Sequence, residues 1–190
     1  MKYLMILTII FSSHIAFAKS PCDSPVTREM ALCAKTNFEQ ADVALNRRYV
    51  SLIQSLPEAE RNGLREVQRY WVAYKTRYCQ DAFKATNPGS EATFEMWSCF
   101  ESVTESRIEE LNFIYYSSSR KDFNSALAFM ANEYEHGDRS KVIKKLVRDV
   151  PDSDSLDWKT YAGLNCRIAH QKLGEEIDTC IARMNFYKNW

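Results

Sequence analysis

Residues 24–57 read SPVTREMALCAKTNFEQADVALNRRYVSLIQSLP. Apolar side chains recur at every third or fourth position of this stretch, with charged side chains between them, which is the spacing of an amphipathic α-helix. Ser24 is expected to cap this helix, and Pro25 suits its first position because the missing N–H has no partner there. Pro57 is expected to end it. The pattern predicts one long helix.

Two more helices of the same kind follow. Pro57 is also suited to open the second helix, whose apolar stripe continues until the turn signal Asn87-Pro88-Gly89. Ser90 is expected to cap a third helix, which continues to the polar stretch 117–119. Three long helices joined by short turns predict an antiparallel bundle.

The remainder of the chain predicts a smaller helical segment. Ser119 and Asp122 have the spacing of a capping box, and Gly137 is a stop signal. No stretch alternates apolar and polar residues as a half-buried strand does. The fold class is therefore predicted to be all-α. The four expected helices span 119–137, 139–150, 155–172 and 175–187.

The N-terminus has the pattern of a secretory signal peptide. Lys2 precedes an apolar run over residues 3–15, and Ala16-Phe17-Ala18 offers the small side chains of a cleavage site. We expect residues 1–18 to be removed after export. Cys22 does not directly follow the cut, so a lipid anchor is not expected. The mature chain is expected to be a soluble periplasmic protein without a membrane anchor.

The charge of the mature chain argues against nucleic acid as a partner. The whole sequence has 25 basic and 25 acidic residues, and removal of Lys2 with the signal leaves 24 against 25. Proteins that bind nucleic acid usually have a marked basic excess. We therefore expect no nucleic-acid partner.

The cysteines predict disulfides. An even number of cysteines in an exported chain favours disulfide bonds, and the absence of a Cys-x-x-Cys pair disfavours zinc or redox chemistry. We therefore expect no metal and no cofactor. The six cysteines are Cys22, Cys33, Cys79, Cys99, Cys166 and Cys180.

Two disulfide pairings fit the turns. Cys79 and Cys99 flank the 87–89 turn, and Cys166 and Cys180 flank Gly174 in the same way. These positions favour the pairing Cys22–Cys33, Cys79–Cys99 and Cys166–Cys180. The alternative pairs Cys33 with Cys79 across Pro57 and Cys22 with Cys99, and six cysteines allow fifteen pairings in all.

A short pattern occurs twice in the chain. Trp71-x2-Tyr74-x4-Cys79 is repeated as Trp158-x2-Tyr161-x4-Cys166. This repetition suggests the hypothesis that the C-terminal segment is a truncated, degenerate repeat of the first domain.

Residues 22–111 resemble the LprI-type lysozyme-inhibitor domain, a family of small exported helical domains of bacteria. The matching positions form an ordered series: Cys22, Thr27, Glu29, Met30, Cys33, Ala41, Asp42, Leu45, Asn46, Tyr49, Leu64, Gln68, Trp71, Tyr74, Cys79, Gly89, Ser90, Cys99, Thr104, Arg107 and Leu111. The resemblance divides the mature chain into a three-helix domain at 19–117 and a C-terminal segment at 118–190.

Most of the matching polar residues have a structural explanation. Because they lie on neighbouring helices, a network between them would fix the register of those helices. The residues concerned are Asp42, Asn46, Tyr49, Gln68, Trp71 and Arg107. The resemblance implies a periplasmic inhibitor of lysozyme-type peptidoglycan hydrolases. An alternative is an immunity or adaptor protein for one dedicated toxin or envelope partner.

Acidic residues are the candidate partner-binding groups. Glu101, Glu105, Glu109 and Glu110 follow one another on the third helix, where the simplest interpretation is a solvated face. As an acidic patch, Glu101, Glu105 and Glu109 would attract a cationic lysozyme. Paired carboxylates also suit a glycosidase, but the sequence has no recognisable catalytic motif. The chain is therefore predicted not to be an enzyme.

Overall fold

The computed structural model describes residues 22–119, 121–148 and 156–189. All regular structure in these ranges is α-helical, and they contain no strand, so the predicted all-α class is confirmed. The helices are α1 (Thr27–Ser55), α2 (Glu58–Thr86), α3 (Ala92–Tyr116), α4 (Lys121–Tyr134), α5 (Arg139–Arg148), α6 (Leu156–Leu173) and α7 (Ile177–Asn189). The predicted signal peptide at 1–18 lies outside the described residues.

Two of the predicted helix caps are wrong. The hydroxyl of Ser24 accepts a hydrogen bond from the N–H of Val26 at 3.1 Å, so it closes a turn before the helix, and α1 begins only at Thr27. The hydroxyl of Ser90 donates to the carboxylate of Glu91 and caps no backbone N–H of α3. In both places the serine hydroxyl forms its hydrogen bond with a residue close to it in sequence, Val26 or Glu91, and not with a backbone N–H of the helix.

The first three helices form the antiparallel bundle. α3 packs along both α1 and α2, whereas α1 and α2 contact each other little. Leu45 of α1, Leu64 and Val67 of α2 and Leu111 of α3 are almost completely buried at their meeting point. Each such side chain stabilises the fold by roughly 1.5–3 kcal/mol relative to an exposed one.

The turn between α2 and α3 is tight. A Cβ atom at Gly89 would lie 2.6 Å from the carbonyl oxygen of Thr86, so glycine is required there. The turn brings Cys79 and Cys99 together, with their Cα atoms 5.4 Å apart. The structure has the pairing that the sequence favoured: Cys22–Cys33, Cys79–Cys99 and Cys166–Cys180.

The C-terminal helices share a core with the bundle. α6 packs on α2, and its Trp158 and Tyr161 belong to the same buried cluster as Leu64 and Leu111. α7 packs on α5 and α6, and α4 packs on α5, around a second, smaller cluster centred on Phe123. Helices from the two sides of the predicted boundary at 117/118 thus pack against one another, through α6 on α2 and α3, and the division into two domains stays a prediction.

The repeated pattern lies on the two helices that face each other. The ring centroid of Tyr74 on α2 lies 4.7 Å from that of Trp158 and 6.1 Å from that of Tyr161, both on α6. The two copies of the pattern therefore pack against each other. In the described ranges, no helix has the length and apolar character needed to cross a membrane.

Candidate functional site

One group of family-motif residues links α1 to α2. The Nδ2 atom of Asn46 donates to Asp42 Oδ2 at 2.9 Å, and Lys75 Nζ lies 3.5 Å from Asp42 Oδ1. The buried ammonium of Lys75 also lies 4.7 Å from the ring centroid of Trp71 and 5.0 Å from that of Phe38. Burial lowers the pKa of Lys75, and Asp42 partly opposes that shift. These contacts connect two helices that otherwise touch little.

Sequence reasoning did not single out Lys75. It lies four residues after Trp71, so a lysine occupies the apolar stripe of α2. A lysine at such a position is a signal of a paired, ring-bound cation, because an unpaired buried ammonium is strongly unfavourable. Tyr49, another motif residue, is half-buried and packs against the main core cluster.

A second group of motif residues joins the bundle to α6. The guanidinium of Arg107 donates through Nε to Gln68 Oε1 at 3.1 Å, and through Nη1 to Asn165 Oδ1 at 2.8 Å and Tyr161 Oη at 3.3 Å. Arg107 is only 1% exposed. Arg107 thus links α3 to α2 and α6, and two of its three partners lie on α6, outside the stretch that resembles the family.

The network continues to α7 through two carboxylates. Asn165 Nδ2 donates to Glu110 Oε1 at 2.8 Å. Arg183 donates through Nη1 and Nη2 to the two oxygens of Glu110, at 2.5 and 3.1 Å. It also donates through Nε and Nη2 to the two oxygens of Glu175, both at 2.9 Å. Each carboxylate is thus bound by two parallel N–H groups, the strongest geometry for this type of pair.

Glu110 corrects the prediction of a solvated acidic face. Glu110 and its partner Arg183 are both buried, so Glu110 is part of a buried ion pair and not of an exposed acidic face. Burial alone would lower the pKa of Arg183, but Glu110 and Glu175 more than offset it, and the net shift is upward. Arg183 therefore stays charged. The pairing of α3 with α7 was not visible in the sequence.

The three candidate partner-binding glutamates lie in two different places. Glu101 and Glu105 line a groove between α1 and α3 with a volume of about 620 Å³, and Glu101 is buried. Glu109 is exposed and lines a separate depression of about 290 Å³, which also contains Tyr187 of α7. The structure therefore brings together Glu101 and Glu105 but not Glu109.

The groove between α1 and α3 has a mixed lining. Its other members from α1 include Glu39, Arg47 and the half-exposed Val43. Of the charged lining residues, three are glutamates and one is an arginine, so the formal charge is −2. The groove thus offers acidic groups beside an apolar edge, and it lies wholly within the first three helices.

A second cavity lies between α2, α3, α6 and α7. Its volume is about 370 Å³, and its lining combines aromatic rings, hydroxyl groups and two cations. Tyr74, Tyr78 and Trp158 contribute rings, and Arg107 and Lys188 contribute the cations. Lys188 and the serines of α3 in this lining were not singled out from the sequence, because the cavity forms where the C-terminal segment meets the bundle.

Lys188 is expected to titrate near neutral pH. Its ammonium lies 5.1 Å from the ring centroid of Trp158 and 5.5 Å from that of Tyr78, and burial lowers its pKa from 10.5 to about 8. The charge is therefore present at pH 7 and lost as the pH rises through about 8. Above that pH the unfolded chain binds more protons than the folded one, so this group makes stability rise with pH up to about 10.5.

An NMR titration of lysine side chains checks this expectation. The signal that disappears in Lys188→Gln should have a midpoint near 8, well below that of the exposed lysines. A midpoint near 10.5 for that signal would contradict the assignment.

The described residues contain no group of three or more histidine, cysteine, aspartate or glutamate side chains arranged to hold a metal ion. All six cysteines of the sequence are in disulfides.

Comparison with known proteins identifies the first three helices. Residues 19–111 match the family model of the lysozyme inhibitor LprI. The match includes the whole of α1 and α2 and most of α3. The groove between α1 and α3 and the motif residues lie within it, whereas the residues of α6 and α7 that belong to the same network lie outside it. No curated protein and no solved structure matches the chain significantly. Residues 19–111, which are 93 of the 190 residues, are therefore identified as a lysozyme inhibitor LprI domain.

Proposed function

We infer that this protein is an exported, periplasmic inhibitor of lysozyme-type peptidoglycan hydrolases, and that it acts by binding and not by catalysis. The match of residues 19–111 to the lysozyme inhibitor LprI model is the observation that carries this inference. Family membership supports an inhibitory role in general. The choice of hydrolase, the periplasmic location and the contact surface are parts of the proposal.

A rigid scaffold supports a blocking mechanism. Three disulfides and the buried ion pairs of Arg183 hold the helices in fixed register. A surface that is already ordered loses little conformational entropy when it binds, so more of the contact energy appears as affinity. An inhibitor that covers a glycan cleft needs a fixed shape and no reacting group.

We assign the contact with the hydrolase to the groove between α1 and α3. This groove lies within the family-matched residues, and its lining has a formal charge of −2 from three glutamates and one arginine. A cationic hydrolase would be attracted to it, because complementary charge accelerates encounter and sets orientation. Val43 at the edge of the groove adds apolar area that such a contact would bury.

The test is a turbidity assay of lysozyme acting on bacterial cell walls, with the oxidised mature chain present in increasing amounts. We expect dose-dependent protection. The variant Glu39→Lys/Glu105→Lys changes the formal charge of the groove from −2 to +2, and it is expected to require a concentration about tenfold higher for the same protection. Glu39→Lys alone, at a well-exposed position, should give a smaller loss in the same direction.

The matched control is Glu66→Lys/Glu133→Lys, which makes the same change of net charge at exposed positions outside the groove. It should protect as the unmodified chain does. Equal loss in both double variants would refute the groove as the contact while leaving inhibition intact. No protection at high molar excess would refute the inhibitor role, and wall lysis by the chain alone would refute a non-catalytic one.

The alternative is an immunity or adaptor role for a dedicated toxin or envelope partner. It is favoured by Phe129 and Tyr134, two largely exposed aromatic side chains on α4, outside the family-matched residues. Co-purification with one envelope protein, together with no effect on lysozyme, would support this alternative.

A further inference from the structure

The cavity between α2, α3, α6 and α7 is not explained by the inhibitor role. Most of its lining residues come from the family-matched α2 and α3, five come from α6 and α7, and the cavity lies apart from the α1–α3 groove. A volume of about 370 Å³ is within the range of small-molecule sites, which is roughly 300–1,000 Å³.

The aromatic side of the cavity suits the flat faces of sugar rings. The ring of Tyr74 contacts those of Tyr78 and Trp158, at centroid distances of 5.4 and 4.7 Å. Tyr78 is 39% exposed, so it stands at the mouth while the other two are buried. The negative face of an aromatic ring attracts the weakly positive C–H groups that line one side of a pyranose.

The opposite side of the cavity offers hydroxyl groups in a row. Ser98, Ser102 and Ser106 follow one another at intervals of four residues on α3, so they share one face of the helix. A serine hydroxyl both donates and accepts hydrogen bonds, which suits the hydroxyl and amide groups of a saccharide. Glu95, one turn before Ser98, adds a carboxylate acceptor at the same wall.

Two cations and two carboxylates line the cavity, and one of the carboxylates, Glu110, is already bound by Arg183. The cations can therefore bind an anionic group of a ligand. Lys188 lines the cavity near Trp158 and Tyr78. Arg107 also lines it, and its guanidinium is held by three neutral oxygens, with no hydrogen-bond partner for Nη2 among the described residues. A buried guanidinium with an unused donor is unfavourable unless something else binds it. A carboxylate is the group that a guanidinium and an ammonium bind most strongly.

We propose that this cavity binds a carboxylated saccharide of one or two rings, with a sugar face on the exposed ring of Tyr78, its hydroxyl and amide groups on the serines of α3, and its carboxylate towards Lys188 and Arg107. The site is independent of the α1–α3 groove and does not rest on the proposed inhibition of lysozyme. The C-terminal segment then has a role of its own, since α6 and α7 complete the site.

The test is isothermal titration calorimetry of the oxidised mature chain with two probes, N-acetylmuramic acid and N-acetylglucosamine. These probes share the ring and the acetamido group and differ by the carboxylate-bearing ether substituent. Saturable binding of both is expected, with the acid bound about tenfold more tightly. Fluorescence of Trp71 and Trp158, which line the cavity, gives a second readout.

Two variants separate the contribution of the aromatic ring from that of the cation. Tyr78→Ala removes the ring at the mouth and should weaken both probes about tenfold. Its matched control is Tyr70→Ala, which removes an equally exposed tyrosine (37%) of the same helix that does not line the cavity, and which should leave both affinities unchanged. Lys188→Gln should bring the affinity for the acid close to that for the neutral sugar.

The proposal is overturned if neither probe binds saturably, or if Tyr78→Ala and Tyr70→Ala bind alike. Equal binding of both probes by the unmodified chain would overturn the assignment of a carboxylated ligand. None of these outcomes depends on the lysozyme assay, so failure of the saccharide site and failure of the inhibitor role are distinguishable.

Discussion

Arg183→Met is expected to lower the free energy of unfolding by about 3–5 kcal/mol, the usual effect of removing one partner of a buried ion pair. The substitution keeps an unbranched side chain but leaves Glu110 and Glu175 without the guanidinium that binds both. Glu110 is buried, so its charge would then be uncompensated in a region of low dielectric constant. The loss should be measured by urea unfolding of the oxidised chain at pH 7.

Two further variants make the result specific. Arg183→Met/Glu110→Gln removes the stranded buried charge and should recover part of the loss, since replacing both partners is less unfavourable than replacing one. Lys35→Met removes an exposed pair with Glu39, 3.5 Å apart, and should change stability by no more than about 0.5 kcal/mol. A loss below about 1 kcal/mol for Arg183→Met would contradict a stabilising role of the network.

The helices themselves were predictable because their pattern is local. Apolar spacing, Pro57 and the Asn87-Pro88-Gly89 turn placed the first three helices within about three residues of where they lie. The errors occurred at helix starts, where Ser24 and Ser90 each had a nearer partner than the backbone N–H groups of the coming helix. A capping pattern identifies a hydroxyl group but does not determine which neighbouring group forms a hydrogen bond with it.

The candidate site was less predictable because its partners are distant in sequence. The sequence places Glu110 beside Glu109 and Glu105 on one helix, and nothing local distinguishes it from them. What buries it is Arg183, 73 residues away. Likewise, Arg107 was expected to join helices of the first domain, whereas two of its three partners lie on α6. Long-range pairing of this kind follows from packing and not from local pattern.

Trp158→Ala is the second substitution expected to have a large effect, with a loss of about 3–5 kcal/mol, as is usual when a buried aromatic side chain is replaced by alanine. Trp158 packs against Tyr74 of α2 and Tyr161 of its own helix, at 4.7 and 5.6 Å between ring centroids. Its Nε1 atom donates to Asn185 Oδ1 of α7 at 2.9 Å. The variant therefore loses apolar contact with the bundle and leaves Asn185 without this donor.

The control for Trp158→Ala is Leu156→Ala on the same helix, where the side chain is 76% exposed. That change should remain within about 0.5 kcal/mol of the unmodified chain. Urea unfolding gives the size of each loss, and amide hydrogen exchange shows where it occurs.

Hydrogen exchange decides whether the C-terminal segment is part of the LprI-type domain's core. Because Trp158, Tyr161, Leu64 and Leu111 belong to one buried cluster, the amides of α2 around Tyr74 should lose protection in Trp158→Ala as strongly as those of α6. Loss confined to α6 and α7 would instead mean that the first three helices hold together without them. In the expected case, residues 118–190 stabilise the inhibitor fold itself, and the family-matched helices depend on a segment that lies outside the match.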